Sequence, residues 1–131
     1  MPRMRFSVSR YVAAPVGDVW ELLTDVGRWP EWGPSVRGAE LAAPCLMSGS
    51  TGHVRTVLGI SLPFRVTEFQ AGRSWSWSVA GIRATDHIVV PDGAGCRIRF
   101  TVPWWAPAYL PVCALALRRI ARITRPPASR P

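Results

Sequence analysis

The stretch SWSWSVAGIRATDHIVVPDGAGCRIRFTVPWWAPAYLPVCALALRRIARIT, residues 74–124, decides the fold. Its first half holds three runs rich in Val, Ile, Thr and aromatics: 74–79, 82–90 and 96–102. Gly81 and the segment Pro91-Asp92-Gly93-Ala94-Gly95 separate them, so they read as strands joined by tight turns, the second a strong hairpin signal. After Val102 the period changes. From Pro107 to Thr124, the residues Leu110, Cys113, Ala114, Leu117, Ile120, Ala121 and Thr124 fall on one stripe, the spacing of an amphipathic helix stopped by Pro126-Pro127. A helix of that length spans about 27 Å.

Working back toward the N-terminus, more strands appear. Phe64–Phe69 follows a turn at Gly59–Pro63, Thr51–Leu58 follows Ser48-Gly49-Ser50, and Ser35–Ala42 precedes both. Met4–Ala13 alternates, with Phe6, Val8 and Val12 on one face and Ser7, Ser9 and Tyr11 on the other. Between it and Ser35, Val16, Val19, Trp20, Leu23 and Val26 recur at helical spacing after Pro15, and Arg28–Pro34 has room for one further helical turn. The order is strand, one or two short helices, six strands in a meander, and a longer helix. A curved antiparallel sheet must cover its apolar face, and the C-terminal helix is the element long enough to do so. The class is α+β, a seven-stranded curved antiparallel sheet wrapped around a long C-terminal helix. Residues 1–125 form one domain and 126–131 a frayed Pro-rich tail.

Composition sets limits on function. The 131 residues include 16 Arg, no Lys, 8 acids and 13 aromatics, a formal charge of +8 with 48% hydrophobic residues. This is a folding chain and not a disordered basic tail. Residues 1–92 hold nine Arg against all eight acids, whereas 93–131 hold seven Arg and no acid, so the excess charge is C-terminal. Cys45, Cys96 and Cys113 have neither disulfide nor zinc spacing, and His53 and His87 add no ligand pattern, so no metal or cofactor is expected. The N-terminus lacks a signal-peptide block, which points to the cytoplasm. The uncharged run Phe100–Leu117 is interrupted by Pro103, Pro107 and Pro111 and reads as strand end, loop and helix start, not as a membrane span.

In this order, several motifs resemble one superfamily. They are Ala14-Pro15-x-x-x-Val19-Trp20-x-x-Leu23-Thr24-Asp25, then Trp29-Pro30-Glu31-Trp32, then Val66-Thr67-Glu68-Phe69-x-x-Gly72-Arg73-x-Trp75-x-Trp77, and His87-x-x-x-Pro91-Asp92-Gly93-x-Gly95-x-Arg97. The chain resembles the SRPBCC superfamily, which includes START lipid-transfer domains, birch-pollen-allergen-like proteins and the bacterial polyketide cyclase/dehydrase family. The resemblance implies a helix-grip fold with an apolar cavity between sheet and helix. It implies binding of a lipid or polyketide-like molecule, and in some members its cyclisation or dehydration. The family's last helix is usually longer than the 18 residues here, which bears on cavity size.

Candidate site residues follow. Trp75 and Trp77, two apart on a strand, share a face with Val79 and suit a flat wall for a ring system. Trp29 and Trp32, in the turn the resemblance places near the cavity mouth, and Trp104, Trp105 and Tyr109, before the last helix, are expected to gate or clamp a ligand. Leu110, Cys113 and Leu117 would line the cavity from the helix. His87, in phase with Arg83, Thr85 and Val89, is the candidate acid or base. His53 and Arg55 share a phase that faces either cavity or solvent, since a shift of one residue exchanges the faces. Arg55, Arg83 and His87 would anchor a flexible chain for an intrinsically easy reaction. Arg118, Arg119, Arg122 and Arg125 form a basic stripe for an anionic lipid or carrier protein. The aromatics are not interleaved with these arginines and no nucleic-acid motif is present, which argues against nucleic acid as partner.

Overall fold

Alternation in the strands produces the sheet, and the breaks in alternation shape the site. The computed structural model describes residues 5–104 and 106–124; the expected tail, Trp105 and Arg125 lie outside the described residues. The chain runs β1 (Arg5–Val12), α1 (Val16–Thr24), a 3-10 turn (Val26–Arg28), α2 (Trp29–Trp32), β2 (Val36–Leu41), β3 (Thr51–Thr56), β4 (Ser61–Gln70), β5 (Ser74–Val79), β6 (Ile82–Asp92) and β7 (Gly95–Pro103). A second 3-10 turn (Pro107–Tyr109) leads into α3 (Leu110–Ile123). The sheet is seven-stranded, antiparallel, open and curved, with strand order β1-β7-β6-β5-β4-β3-β2.

The expected meander is present, with differences that have physical causes. The last helix becomes α-helical only at Leu110, because Pro111 has no N–H to give and sits where none is required, in the first turn. At 14 residues α3 is about 21 Å long. It packs chiefly on β1, with smaller contacts to β7 and α2. The sheet beyond β7 therefore has no long helix over it, and a cavity opens there. Strand β4 begins at Ser61, earlier than its proline suggested. The Pro63 carbonyl accepts from the Ala80 N–H at 2.7 Å, so the ring nitrogen faces the side where β5 has already turned into its hairpin. No ladder donor is missed.

Three irregularities bend the sheet, between Val36 and Gly38, between Val66 and Glu68, and between Ser76 and Ser78. The last matters most. Ser76 pairs with Asp86 but Ser78 pairs with Arg83, so β6 carries one extra residue and its phase flips at Ala84–Thr85.

The β5–β6 hairpin turns on Ala80 and Gly81, both with positive φ (52° and 79°), as a type I′ turn requires. A Cβ in this region costs roughly 1–2 kcal/mol, and Asn tolerates it best among non-glycine residues. Ala80→Asn is expected to raise stability by about 1 kcal/mol, read from the urea midpoint; an unchanged or lowered midpoint would contradict the turn assignment.

Candidate ligand cavity

Two short helices close the core from one side through their own tryptophans. The last carbonyls of a helix have no intrahelical partner. In α1 they are met by indoles from α2: Trp29 Nε1 donates to the Leu23 carbonyl at 2.9 Å and Trp32 Nε1 to the Leu22 carbonyl at 3.1 Å. Arg28 braces α2 from outside, donating from Nε and Nη2 to both Glu31 carboxylate oxygens at 3.0 Å. That ion pair holds the Glu31 carboxyl below its ordinary range.

The Trp29 ring stacks on Trp75 (centroids 5.3 Å apart, planes 7° off parallel), and Trp75 stacks in turn on His87 at 3.9 Å. Phe100 and Trp32 meet the His87 ring edge-on at 4.9 and 6.1 Å. Nδ1 of His87 lies 3.2 Å from the Trp75 carbonyl, which can only accept, so Nδ1 carries the proton and Nε2 is the lone-pair nitrogen. Nε2 has no hydrogen-bond partner among the described residues. Burial pushes the imidazole down to about 4, against the smaller opposing effects of the Trp75 hydrogen bond and the Asp86 charge. His87 is neutral at physiological pH.

The His87 ring borders a small chamber of about 40 Å³, together with Trp29, Trp32, Trp75, Trp77, Phe100 and Cys113. That chamber adjoins a larger cavity of about 390 Å³ walled by Val36, Val54, Leu62, Val79 and Val102. Ser35, Val36, Trp77, Thr85 and Tyr109 border both. At this neck the Tyr109 and Ser35 hydroxyls are 2.7 Å apart. Burial raises the Tyr109 phenol above its usual range, and the Cys113 thiol is pushed up to about 11 for the same reason, so neither is ionised at neutral pH. Among the described residues three buried side-chain donors have no partner: the indole nitrogens of Trp75 and Trp77 and the Thr56 hydroxyl. Their residues all border one or other chamber. Among the described residues no His, Cys, Asp and Glu side chains cluster as metal ligands.

Several candidate residues lie elsewhere than expected. Trp29 and Trp32 are 1% and 6% exposed and wall the inner chamber; they do not gate the mouth. His53 and Arg55 are on the outer face of the sheet, and Val54 and Thr56 are the inward pair on β3. Val57 shares the phase of His53 and Arg55 but belongs to the turn. Arg83 borders the mouth, but the extra residue in β6 takes it out of phase with His87, and its guanidinium approaches Asp86 at 3.7 Å. Leu110 and Leu117 pack into the core without bordering the cavity, while Cys113 borders the inner chamber. Trp104 is exposed beside the mouth, and Tyr109 sits at the neck. Thr56, Thr85 and Ser35 were missed; short hydroxyl residues in alternating strands carry no signal beyond the register.

An open curved sheet holding a C-terminal helix and an apolar cavity defines a helix-grip protein. The chain belongs to the family described as polyketide cyclase / dehydrase and lipid transport, which matches residues 3–123. Solved structures with this fold include protein NE0264 from Nitrosomonas europaea, at 16% identity and a TM-score of 0.69 over 92% of this chain and 93% of that one. XoxI from Bacillus cereus is similar at 13% identity and a TM-score of 0.71, covering 92% and 94%. DynU16, a putative protein in the dynemicin biosynthetic locus, is similar at 20% identity and a TM-score of 0.65, over 92% of this chain and 47% of that one. No protein of curated function matches. No helix among the described residues is long and apolar enough to cross a membrane.

Proposed function

We propose that this chain binds a hydrophobic small molecule, lipid or polyketide-like, with its apolar body in the outer cavity and an oxygen-bearing end at the inner chamber. The observation that carries this is that Trp75, Trp77 and Thr56, whose buried donors Nε1, Nε1 and Oγ1 have no partner among the described residues, all border an otherwise apolar cavity. Leaving a buried donor unpaired costs about 1–3 kcal/mol each, a cost recovered when a ligand carbonyl or hydroxyl accepts from it. Nε2 of His87 supplies an acceptor for a ligand hydroxyl. The outer cavity, at about 390 Å³, is within the usual range for small-molecule sites. Family membership supports the same reading.

Catalysis by His87 as acid or base is the second reading, supported by its free Nε2 at the cavity floor. Its weakness is basicity: efficient general bases have pKa values near the working pH, and an imidazole at about 4 is a poor one. Binding is the better-supported role. Turnover of an aromatic poly-β-ketone analogue that disappears in His87→Gln would reverse that ranking.

The test is a fluorescence titration with N-phenyl-1-naphthylamine, followed by displacement with oxygenated lipids extracted from the purified protein. Val54→Trp, which fills the outer cavity, is expected to weaken probe binding at least tenfold. Thr56→Val is expected to stabilise the empty protein by about 1 kcal/mol while weakening an oxygenated ligand, opposite signs that only a donor kept for ligand would give. Probe binding unchanged in Val54→Trp would refute the cavity as the site.

A further inference from the structure

Three tips converge on the cavity mouth, and all three are greasy. At the β3–β4 turn, Gly59 N–H donates to the Thr56 carbonyl at 2.9 Å and Gly59 has φ 83°, so Val57 and Leu58 occupy the two corner positions of a type I turn. The first of those positions favours Pro and both accept most residues, so nothing in the turn geometry asks for Val-Leu. Leu58 is 81% exposed, with Ile60 beside it at 53%. Ile82, at the β5–β6 tip, is 56% exposed and borders the cavity. Trp104, after β7, is 56% exposed. The tips are physically joined to the site: Val57 N–H donates to the Ser35 carbonyl at 3.1 Å, and Ser35 in turn meets Tyr109 at the neck.

The charges around this end have one sign. Beside the tips lie Arg55, paired with Ser61, and Arg83, paired with Ser78, while Asp86, three residues on from Arg83, is already bonded by Arg5 at 2.6 Å. Arg37 reaches the tip itself, donating from Nη2 to the Val57 carbonyl at 3.3 Å. Asp92 lies at the opposite hairpin and Asp18 and Glu21 in α1.

We propose that the mouth docks on an anionic lipid bilayer, with Leu58, Ile60, Ile82 and Trp104 entering the headgroup boundary and the surrounding arginines contacting lipid phosphates. Exposed apolar side chains on loop tips gain by entering that boundary, and basic residues near an anionic surface are drawn to it. A second copy of the chain is the competing occupant, but a two-fold contact would set this basic patch against itself. The arginines of α3 are a separate feature, since Arg118 begins nine residues beyond Tyr109, about 13 Å along the helix. The inference rests on the cavity reading only for its purpose, a ligand passing between bilayer and mouth.

Flotation with phosphatidylglycerol/phosphatidylcholine vesicles tests it, with pure phosphatidylcholine vesicles alongside. The protein is expected to float with the anionic vesicles, less so at high salt, and at least tenfold less in the double variant Leu58→Asp, Ile60→Asp. Neither side chain borders the cavity, so probe binding and the thermal midpoint should hold in that variant. Three results would overturn the proposal: no flotation, flotation unaffected by the double variant but lost in Arg118→Ser, Arg119→Ser, Arg122→Ser, or a dimer in light scattering that the double variant dissociates. Flotation without probe binding would instead remove the cavity reading and leave docking standing.

Discussion

Trp29→Ala is expected to destabilise the protein by about 3–5 kcal/mol, the range for deleting a large buried aromatic. Trp29 is 1% exposed, stacks on Trp75, meets Phe64 and Trp77 at 5.5 and 5.3 Å, and caps the Leu23 carbonyl. Alanine removes the stack, opens a void between α2 and the sheet, and leaves a helix-terminal carbonyl without its donor. Domains are stable by only about 5–15 kcal/mol, so the variant should be close to unfolding at 37 °C. Trp29→Phe keeps a six-membered ring against Trp75 and loses the rest of the indole with its N–H, so its cost should be smaller than that of alanine. Urea denaturation followed by circular dichroism reads both. If Trp29 were a mobile gate, the alanine variant would keep its midpoint and change only ligand exchange; a loss under 1 kcal/mol would restore that role.

The order of elements was legible because it depends on period alone. Strands 82–90 and 96–102 with their Asp-Gly turn, and the stripe from Leu110 to Ile120, need no knowledge of packing. The inward face of each strand was harder, because a single extra residue exchanges the faces. The spacing put Arg83 in phase with His87, yet the additional residue at Ala84–Thr85 breaks that phase, and no residue type in 82–90 announces it. On β3 the sequence left both faces open to His53 and Arg55, and the turn that begins after Thr56 with Val54 and Thr56 inward settles it. The tryptophans were visible as a group, but which of them serve the fold depends on where each indole N–H goes. Trp29 and Trp32 bond α1 carbonyls, while the indole nitrogens of Trp75 and Trp77 have no partner among the described residues.

That division of indoles explains how a domain with a short last helix keeps both a core and a cavity. The far half of the molecule is closed by α1, α2 and α3 around Leu22, Leu23, Ile98 and Ile120, all fully buried. The mouth half is lined by inward residues of β2 to β7 and by Ala106 and Tyr109 ahead of α3. His87 stands on the boundary, buried like a core residue yet bordering the inner chamber.

That position makes His87 the source of the largest pH effect expected. In the unfolded chain the imidazole titrates near its usual value of about 6.5; in the fold, burial lowers it to about 4. Between these values the unfolded state binds the extra proton, so stability rises with pH across that window. The contribution is fully present above about pH 6.5 and is lost as pH falls toward 4, amounting in all to roughly 3 kcal/mol at 1.36 kcal/mol per pKa unit. Most carboxylates stay ionised down to pH 5, so the clean interval is 6.5 to 5, where wild-type protein should lose about 2 kcal/mol. His87→Phe keeps a ring against Trp75 and cannot titrate, and its urea midpoint should be nearly flat over the same interval. Parallel pH dependence in the two proteins would mean that His87 is protonated in the fold. The same neutral ring makes a ligand prediction: a hydroxyl donating to Nε2 should bind equally well from pH 8 to about 5.5 and weaken as pH approaches 4, because a protonated Nε2 can only donate.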